Sequence, residues 1–359
     1  MRILHVADTH LGLRQYGLDE RRRDFADAFA QVVSIALEAP VDAVVHAGDL
    51  FNDRFPAMEE LTGVVRGLSQ LRAAGIPFLG VVGNHENKRE AQWLDFFSTL
   101  ELAVHLSSDA AYDLGGVPIW GVDYISRHAE QVKPPQLDGG VLVMHQLLNA
   151  PSVSPAGELD LEDLGRCGAR LVLLGDYHEH GVWKKDGVLV SYPGSTERTS
   201  SAERERRGVS IFDYDTLALE RRELDTRRFV YVGSLKQPAS DPLAEIAARV
   251  RLVQGAVVVL TIADGVDHTP RQLQEAGAAR GALHVIVRRA AGETGNEADT
   301  TPIAQLSTLE QLETLIQGEI DRHPFSELTL ELERLVRDKS VPDTRVDERA
   351  SLLLQGGKL

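Results

Sequence analysis

The sequence predicts an α/β protein of two domains, and three observations lead there. Through the first hundred residues, apolar runs of strand character alternate with stretches of helical spacing. That is the pattern of a layered domain whose strands are largely parallel. Strand patterns then dominate to about residue 225 and end on two runs joined by a short polar turn. Such a hairpin is antiparallel and makes the sheet mixed. Past a boundary at 226–228 a shorter series of helices and strands forms a small α+β unit. A chain of 359 residues is long for one domain and suits two.

Taken in order, "RILHVAD" reads as a strand, and "LDERRRDFADAFAQVVSIALE" has helical spacing through Phe25, Phe29, Val32 and Val33. "VDAVVHAGD" is the next strand, Met58 to Ala74 a helix, "IPFLGVVGNH" a third strand and Arg89 to Leu100 another helix. Strands follow at "VPIWGVDY", "GVLVMHQ", "ARLVLLGD" and "GVLVSYPGS", then the hairpin "RGVSIFDYD" and "LALERREL". The small unit reads as "PLAEIAARVRLVQ" (helix), "AVVVLTIA" (strand), "TPRQLQEAG" (helix) and "ALHVIVRRA" (strand). Ala290 to Thr301, rich in Gly, Asn, Thr and acids, reads as a loop, and helical patterns recur at Leu306–Ile320, Glu327–Arg337 and Asp347–Leu354. The expected division is 1–225, 226–325 and a helical tail at 326–359.

Composition excludes several classes. Cys167 is the lone cysteine, so no intrachain disulfide can form. No run approaches the eighteen or so apolar residues that span a bilayer, and the start shows no apolar leader, so the expectation is a soluble cytoplasmic protein. A net charge of −16 should repel nucleic acid, whose binding relies on Lys and Arg displacing counterions. Arginine, however, far outnumbers lysine and clusters at Arg21–Arg23 and at Arg204, Arg206 and Arg207. An acidic, lysine-poor surface is also what a high-salt cytoplasm favours.

Five strands end alike. "VADTH" releases Asp8 and His10, "HAGDLFND" releases Asp49, "VVGNHE" releases Asn84 and His85, "LVMHQ" releases His145, and "VLLGDYHEH" releases Asp176, His178 and His180. In α/β sheets, ligands gather beyond the carboxyl ends of strands. Carboxylates, imidazoles and one carboxamide, without thiols, suit Mn²⁺, Fe²⁺ or a catalytic Zn²⁺ more than a structural zinc. About seven ligands are too many for one ion and suit two that share a carboxylate, an arrangement that serves phosphate-ester hydrolysis.

As a set, D-x-H in "ADTH", G-D in "AGDLF", G-N-H in "VGNHE", the His of "MHQ" and the final G-x-x-H resemble the calcineurin-like metallophosphoesterases. "DTHLGLRQYGLDERRRDF", "GDLFNDRFP" and "SYPGSTER" are similar to the archaeal and eukaryotic double-strand-break repair nucleases, whose bacterial relative is SbcD. The resemblance covers residues 1–225 and, more loosely, the second domain, which occupies the place of that family's DNA-capping domain. It implies a layered α/β/β/α domain with two facing mixed sheets, plus a smaller α+β capping domain. It implies two Mn²⁺ per chain, with Mg²⁺ as the alternative. Asp8, His10 and His178 would hold the first ion, Asn84 and His145 the second, and Asp49 would bridge.

Asp176 would complete the second site where relatives carry a histidine; a shifted reading uses His178 and His180 instead. His85 would be no ligand but the proton donor to the leaving 3′ oxygen, or a stabiliser of the transition state. Asn52 stands where some relatives carry a histidine tied to the handling of duplex ends. The implied activity is a Mn²⁺-dependent DNA nuclease, 3′→5′ exonuclease and endonuclease, acting in double-strand-break repair beside an SMC-like ATPase of the SbcC type. The tail after Phe325 is the candidate docking element. A phosphoesterase acting on nucleotides or phosphoproteins is the alternative, because fold and metals do not fix the substrate.

Plainer readings stand beside these. His5 and His46 lie within apolar strands and read as core; His105, His128, His268, His284 and His323 have no partner pattern. Asn84 could merely cap a helix. Ser195 and Arg198 could contact phosphate or form a turn, Arg14 and Arg54 could track a DNA backbone, and Arg21–Arg23 read most simply as a solvated helix face. Leu94, Phe96, Phe97 and Leu100 are too apolar for a wholly exposed helix. The resemblance implies a homodimer through helices near 60–74 and 89–100.

Overall fold

The structure is a computed structural model that describes residues 1–87, 91–125, 132–154 and 157–290. The tail, residues 291–301, His128 and His323 lie outside the described residues. In chain order the elements are β1 (Arg2–Val6), α1 (Asp19–Glu38), β2 (Ala43–Ala47), α2 (Met58–Ala73), β3 (Phe78–Val81), α3 (Trp93–Thr99), β4 (Val104–His105), β5 (Tyr112–Leu114), β6 (Val117–Val122), β7 (Val141–His145) and α4 (Leu161–Arg166). There follow β8 (Leu171–Gly175), β9 (Gly181–Lys185), β10 (Val188–Tyr192), β11 (Gly208–Asp213) and β12 (Ala218–Glu223). The second unit holds β13 (Phe229–Val232), α5 (Pro242–Ala248), α6 (Val250–Val253), β14 (Val257–Ile262), α7 (Pro270–Ala278) and β15 (His284–Arg289).

Two six-stranded sheets run in the order β12-β11-β1-β2-β3-β4 and β5-β6-β7-β8-β10-β9. Both are mixed. β1 to β4 are parallel, with the β11–β12 hairpin added antiparallel beside β1. In the second sheet β6, β7, β8 and β10 are parallel, with β5 and β9 antiparallel at the edges.

The sheets face each other because alternate residues point to opposite faces of a strand. Ile3, Val45, Val81, Val143 and Leu173 form the core between the sheets. The opposite face of the first sheet, with Leu4 and Val44, packs on Phe29, Val33, Leu68 and Phe97 of the helices. That of the second, with Leu142, Met144 and Val172, packs on Leu164 and Tyr192. The result is the layered α/β/β/α arrangement with two facing mixed sheets.

Several elements differ from expectation. The helix after Asn84 starts only at Trp93, because Gln92 is extended and its N–H donates to Asp95 Oδ2 at 2.8 Å as an N-terminal cap. "PLAEIAARVRLVQ" breaks into α5 and α6 at Arg249, whose φ of −107° and ψ of 19° leave the helix. The edge strand β9 shows no apolar run, since its residues alternate between half-buried and exposed. The sheet of the second unit, β13-β14-β15, is wholly parallel, each strand separated from the next by helix.

The two units meet through arginines. Arg21 is fully buried, which corrects its reading as part of a solvated face. Its guanidinium donates to Gln15 Oε1 at 2.8 Å, Asp24 Oδ2 at 2.6 Å and the Arg198 carbonyl at 2.8 Å, and it lies over the Phe229 ring. Arg227 Nη2 donates to Asp24 Oδ1 at 2.6 Å. Tyr16 stacks on His284 of β15, their ring centres 4.5 Å apart.

Candidate metal centre

The carboxyl ends of β1, β2, β3, β7 and β8 converge. The loops after β1 and β2 are laced together, Asp8 N to Gly48 O, His10 N to Asp49 O and Leu11 N to Leu50 O, each 3.0 Å. The lacing holds Asp8, His10 and Asp49 at φ of 53°, 42° and 58°, and Asp176 takes 87°. Left-handed backbone at non-glycine residues costs about 1–3 kcal/mol each and persists where the surroundings enforce it, as at functional sites. Glycine admits the close approach: a Cβ on Gly83 would sit 2.1 Å from Asp49 Oδ1, and one on Gly48 would sit 2.3 Å from His145 Nδ1. The glycines of "AGD" and "VGNH" are thus steric requirements of the cluster.

In three groupings, one ligand atom from each residue lies within 4.8 Å of the others: Asp8 with His10 and His178, His10 with Asp49 and His85, and Asp8 with Asp49 and His145. Asp49 Oδ2 stands 3.5 Å from His145 Nε2 and 3.8 Å from His10 Nε2. Asn84 Oδ1 is 3.1 Å from His145 Nε2, and Asp176 Oδ1 is 3.8 Å from it. Asp8, His10, Asp49 and His145 are buried. His180 lies outside these groupings and donates Nδ1–H to the Tyr192 carbonyl at 2.9 Å.

The residues fit a divalent cation. The Nε2 atoms of His10 and His178 face each other at 3.1 Å. Asp176 Oδ2 and His10 Nδ1 are buried without a hydrogen-bond partner among the described residues. Buried polar atoms are ordinarily satisfied, so such orphans call for a ligand, ion or water. In two of the histidines the far nitrogen is also fixed as metal ligands require: His145 Nδ1–H donates to the Ala47 carbonyl at 2.7 Å, and His178 Nδ1 meets Glu203 Oε1 at 3.1 Å.

Titration follows burial and charge. Burial pushes Asp8 up to about 6 against the pull of His145 and His178. Burial drives His10 down to about 3. Burial opposes charge on both partners of the Asp49–His145 pair, yet their attraction prevails, holding Asp49 below the carboxylate range and His145 well above the imidazole range.

His85 is exposed at the rim, its ring edge-on to His10 at 4.8 Å. Its Nδ1 donates to the Asn52 carbonyl at 3.0 Å and its backbone N–H to Asp49 Oδ1 at 3.0 Å. Arg14 and Arg54 are exposed. Ser195 and Arg198 are turned inward, a correction to the phosphate contact expected of them. Ser195 is fully buried, and its Oγ accepts from Arg207 at 3.3 Å. Arg198 donates to the Glu203 and Glu205 carbonyls at 3.2 and 3.0 Å and lies over Phe229.

Sequence reasoning missed Glu86, whose carboxylate accepts from Leu50 N and Phe51 N at 3.2 and 3.1 Å and which burial pushes up to about 7. It missed Glu203 as well. Glu86 directly follows "GNH"; Glu203 sits in "SAERERRG", where nothing marks it.

Residues 1–217 match the Calcineurin-like phosphoesterase superfamily domain. The DNA double-strand break repair protein Mre11 of Halobacterium salinarum is 36% identical over 97% of this chain and 92% of its own length. The protein of the same name from Haloferax volcanii is 36% identical over 96% of this chain and 79% of its own. Among solved structures, TT1561 of Thermus thermophilus aligns at 12% identity and TM-score 0.43, over 62% of this chain and 98% of that one. Among the described residues no helix is long and apolar enough to cross a membrane.

Proposed function

The chain belongs to the calcineurin-like phosphoesterases and is a metal-dependent phosphodiester hydrolase, and from this premise we propose that it is a Mn²⁺-dependent nuclease of DNA double-strand-break repair, cutting 3′→5′ from ends and internally. The observation that supports it most is the meeting of Asp8, His10, Asp49, His145 and His178, from the ends of four strands, in overlapping groups whose ligand atoms lie within 4.8 Å of one another. Asp8, His10 and His178 would hold one ion, Asn84, His145 and Asp176 the other, and Asp49 would be shared between them. Two bound cations supply a nucleophile at neutral pH and charge stabilisation for an in-line displacement at phosphorus.

The chain's own residues do the rest. The Asn52 carbonyl anchors Nδ1–H of His85, so Nε2 is the atom that passes a proton to the leaving 3′ oxygen. The laced β1 and β2 loops fix Asp8 and Asp49 before substrate arrives, which supplies orientation in advance. Asp176 adds a negative, hard oxygen where an imidazole would be neutral, favouring Mn²⁺ or Mg²⁺.

Exposed Arg14 and Arg54 contact the DNA backbone. The net charge of −16 supports a division of labour in which a partner, an SMC-like ATPase of the SbcC type, supplies most of the grip on DNA. Phe96 and Leu100 of the α3 region, 48% and 42% exposed, with Met58 at 71%, form the homodimer face, while Leu94 and Phe97 are core.

Incubation with linear duplex DNA tests the reading. Degradation with Mn²⁺, abolished by EDTA and by His85→Ala, is expected; turnover of cyclic nucleotides with DNA left intact overturns it.

A further inference from the structure

The candidate ligand His178 lies three residues past the end of β8, outside the rigid ladder, so something else must fix its ring. We propose that Glu203 is the positioning residue for His178, and that the second unit, through Tyr231, holds Glu203 in place. The inference rests on His178 being a ligand, as read above.

The carboxylate of Glu203 is buried and constrained on both oxygens. Oε1 receives Thr199 Oγ1–H at 2.7 Å and lies 3.1 Å from His178 Nδ1, while Oε2 receives Thr199 N–H at 3.1 Å. Thr199 Oγ1 is itself 2.7 Å from His178 Nδ1 and accepts from it. With Thr199 donating to Glu203, the proton between ring and carboxylate belongs to Nδ1, which leaves Nε2 as the ligating atom. A carboxylate behind an imidazole fixes the tautomer and raises the basicity of the other nitrogen.

Glu203 lies between β10 and β11 in a segment that forms no helix or strand, so its position depends on contacts from outside. Its carbonyl accepts Tyr231 Oη–H at 3.2 Å and Arg198 Nε–H at 3.2 Å. The Ser201 carbonyl accepts from the same Tyr231 hydroxyl at 3.2 Å, and Ser201 Oγ accepts from Arg288. Arg204 covers the Tyr231 ring at 4.1 Å. Tyr231 and Arg288 belong to β13 and β15 of the second unit. A continuous path therefore runs from that unit through the Glu203 backbone to its carboxylate and on to His178. A displacement of the second unit changes chiefly how tightly the His178 ion is held.

The experiment is calorimetric titration of Mn²⁺ into the metal-free full chain, with the melting temperature in EDTA as the control on folding. Wild type is expected to take up two ions. Glu203→Ala weakens one of them by ~10–100-fold, and Glu203→Gln, which keeps an acceptor at the same place, by less. Tyr231→Phe keeps the ring and its arginine contact and loses only the hydroxyl. It weakens the same ion by a smaller factor at an unchanged melting temperature.

If Glu203→Ala does not fold, Glu203→Gln and Tyr231→Phe decide. Two ions at wild-type affinity in the Glu203 variants remove the positioning role, and the same result in Tyr231→Phe removes the link to the second unit. A wild type that binds no Mn²⁺ brings down the metal-centre reading itself, an outcome distinct from unaltered variants of a protein that binds.

Discussion

His145 and His178 both come from the second sheet, yet they are held by different means. His145 is the last residue of β7, and its Nδ1–H goes to a backbone carbonyl, Ala47, at the end of β2 in the facing sheet. His178 is held by side chains, Glu203 and Thr199, on a segment that leans on the second unit. One proposed ligand is fixed by the ladder that makes the fold; the other takes its place from side chains on a segment without regular structure. With the proposed ligand set, the centre has a permanent half and an adjustable half, joined at Asp49.

The joint gives the largest expected effect. Asp49 Oδ2 reaches towards both His10 and His145, and Oδ1 accepts the N–H of His85. Asp49→Ala therefore removes the bridge and the anchor of the proposed acid together. Each bound cation contributes several kcal/mol of charge stabilisation, so kcat on linear DNA is expected to fall by on the order of 10³ or more. Activity within tenfold of wild type would show that the halves work independently.

Next is His85→Ala, a loss of ~10²–10⁴ in kcat with both Mn²⁺ still bound, because in the proposed mechanism the ring passes a proton and holds no ion. Weakened Mn²⁺ binding in that variant would move His85 among the ligands. Gly83→Ala follows. Its Cβ would lie 2.1 Å from Asp49 Oδ1, and forcing the loop aside costs about 1–3 kcal/mol. That lowers the melting temperature by roughly 2–4 °C per kcal/mol, and calorimetry should show weaker Mn²⁺ binding beside it. An unchanged melting temperature would show that the β3 loop yields freely.

The permanent half is legible in the sequence because its parts are local. An apolar run, a glycine and then Asp, Asn or His place a side chain at a strand end, and five repeats of that habit say where the strands converge. In the adjustable half the ligand His178 is legible in the same way, but what holds it is not. Glu203 stands among alternating Arg and Glu, a composition that reads as solvated, and contacts from His178, Thr199 and Arg207, none marked in the sequence, enclose its carboxylate. Arg21 opens an arginine run and so reads as exposed. Its spacing to Phe25, Ala28, Phe29 and Val32 places it on the buried stripe of α1, so helical period is a better guide than residue type. The inward turns of Ser195 and Arg198 have no sequence signal, since the partners that satisfy them, Arg207 for the hydroxyl and carbonyls with the Phe229 ring for the guanidinium, come from other segments.

The smallest expected effect belongs to the permanent half and depends on pH. His105 is clasped by two carboxylates, Nδ1 to Asp95 Oδ1 at 2.7 Å and Nε2 to both oxygens of Asp123 at 3.0 Å. Asp123 Oδ1 also accepts Val82 N–H at 2.8 Å, just ahead of the Gly83–Asn84–His85 turn. Burial opposes the charged ring, but the hydrogen bonds from Asp123 and Asp95 outweigh it and raise His105 to about 9. The folded value exceeds the unfolded value of about 6.5, so the folded chain holds its proton more tightly. The stability this contributes is complete below about 6.5 and is lost as pH climbs through 9. The carboxylates are partly solvated, which reduces the effect to about 1 kcal/mol, a fall in melting temperature of roughly 2–4 °C between pH 6.5 and 9.5. His105→Gln should flatten that slope in metal-free protein, while Tyr231→Phe, acting on the other half, should leave it intact. An equal slope in His105→Gln would mean that the clasp does not report on the Asn84 turn and that the pH dependence arises elsewhere.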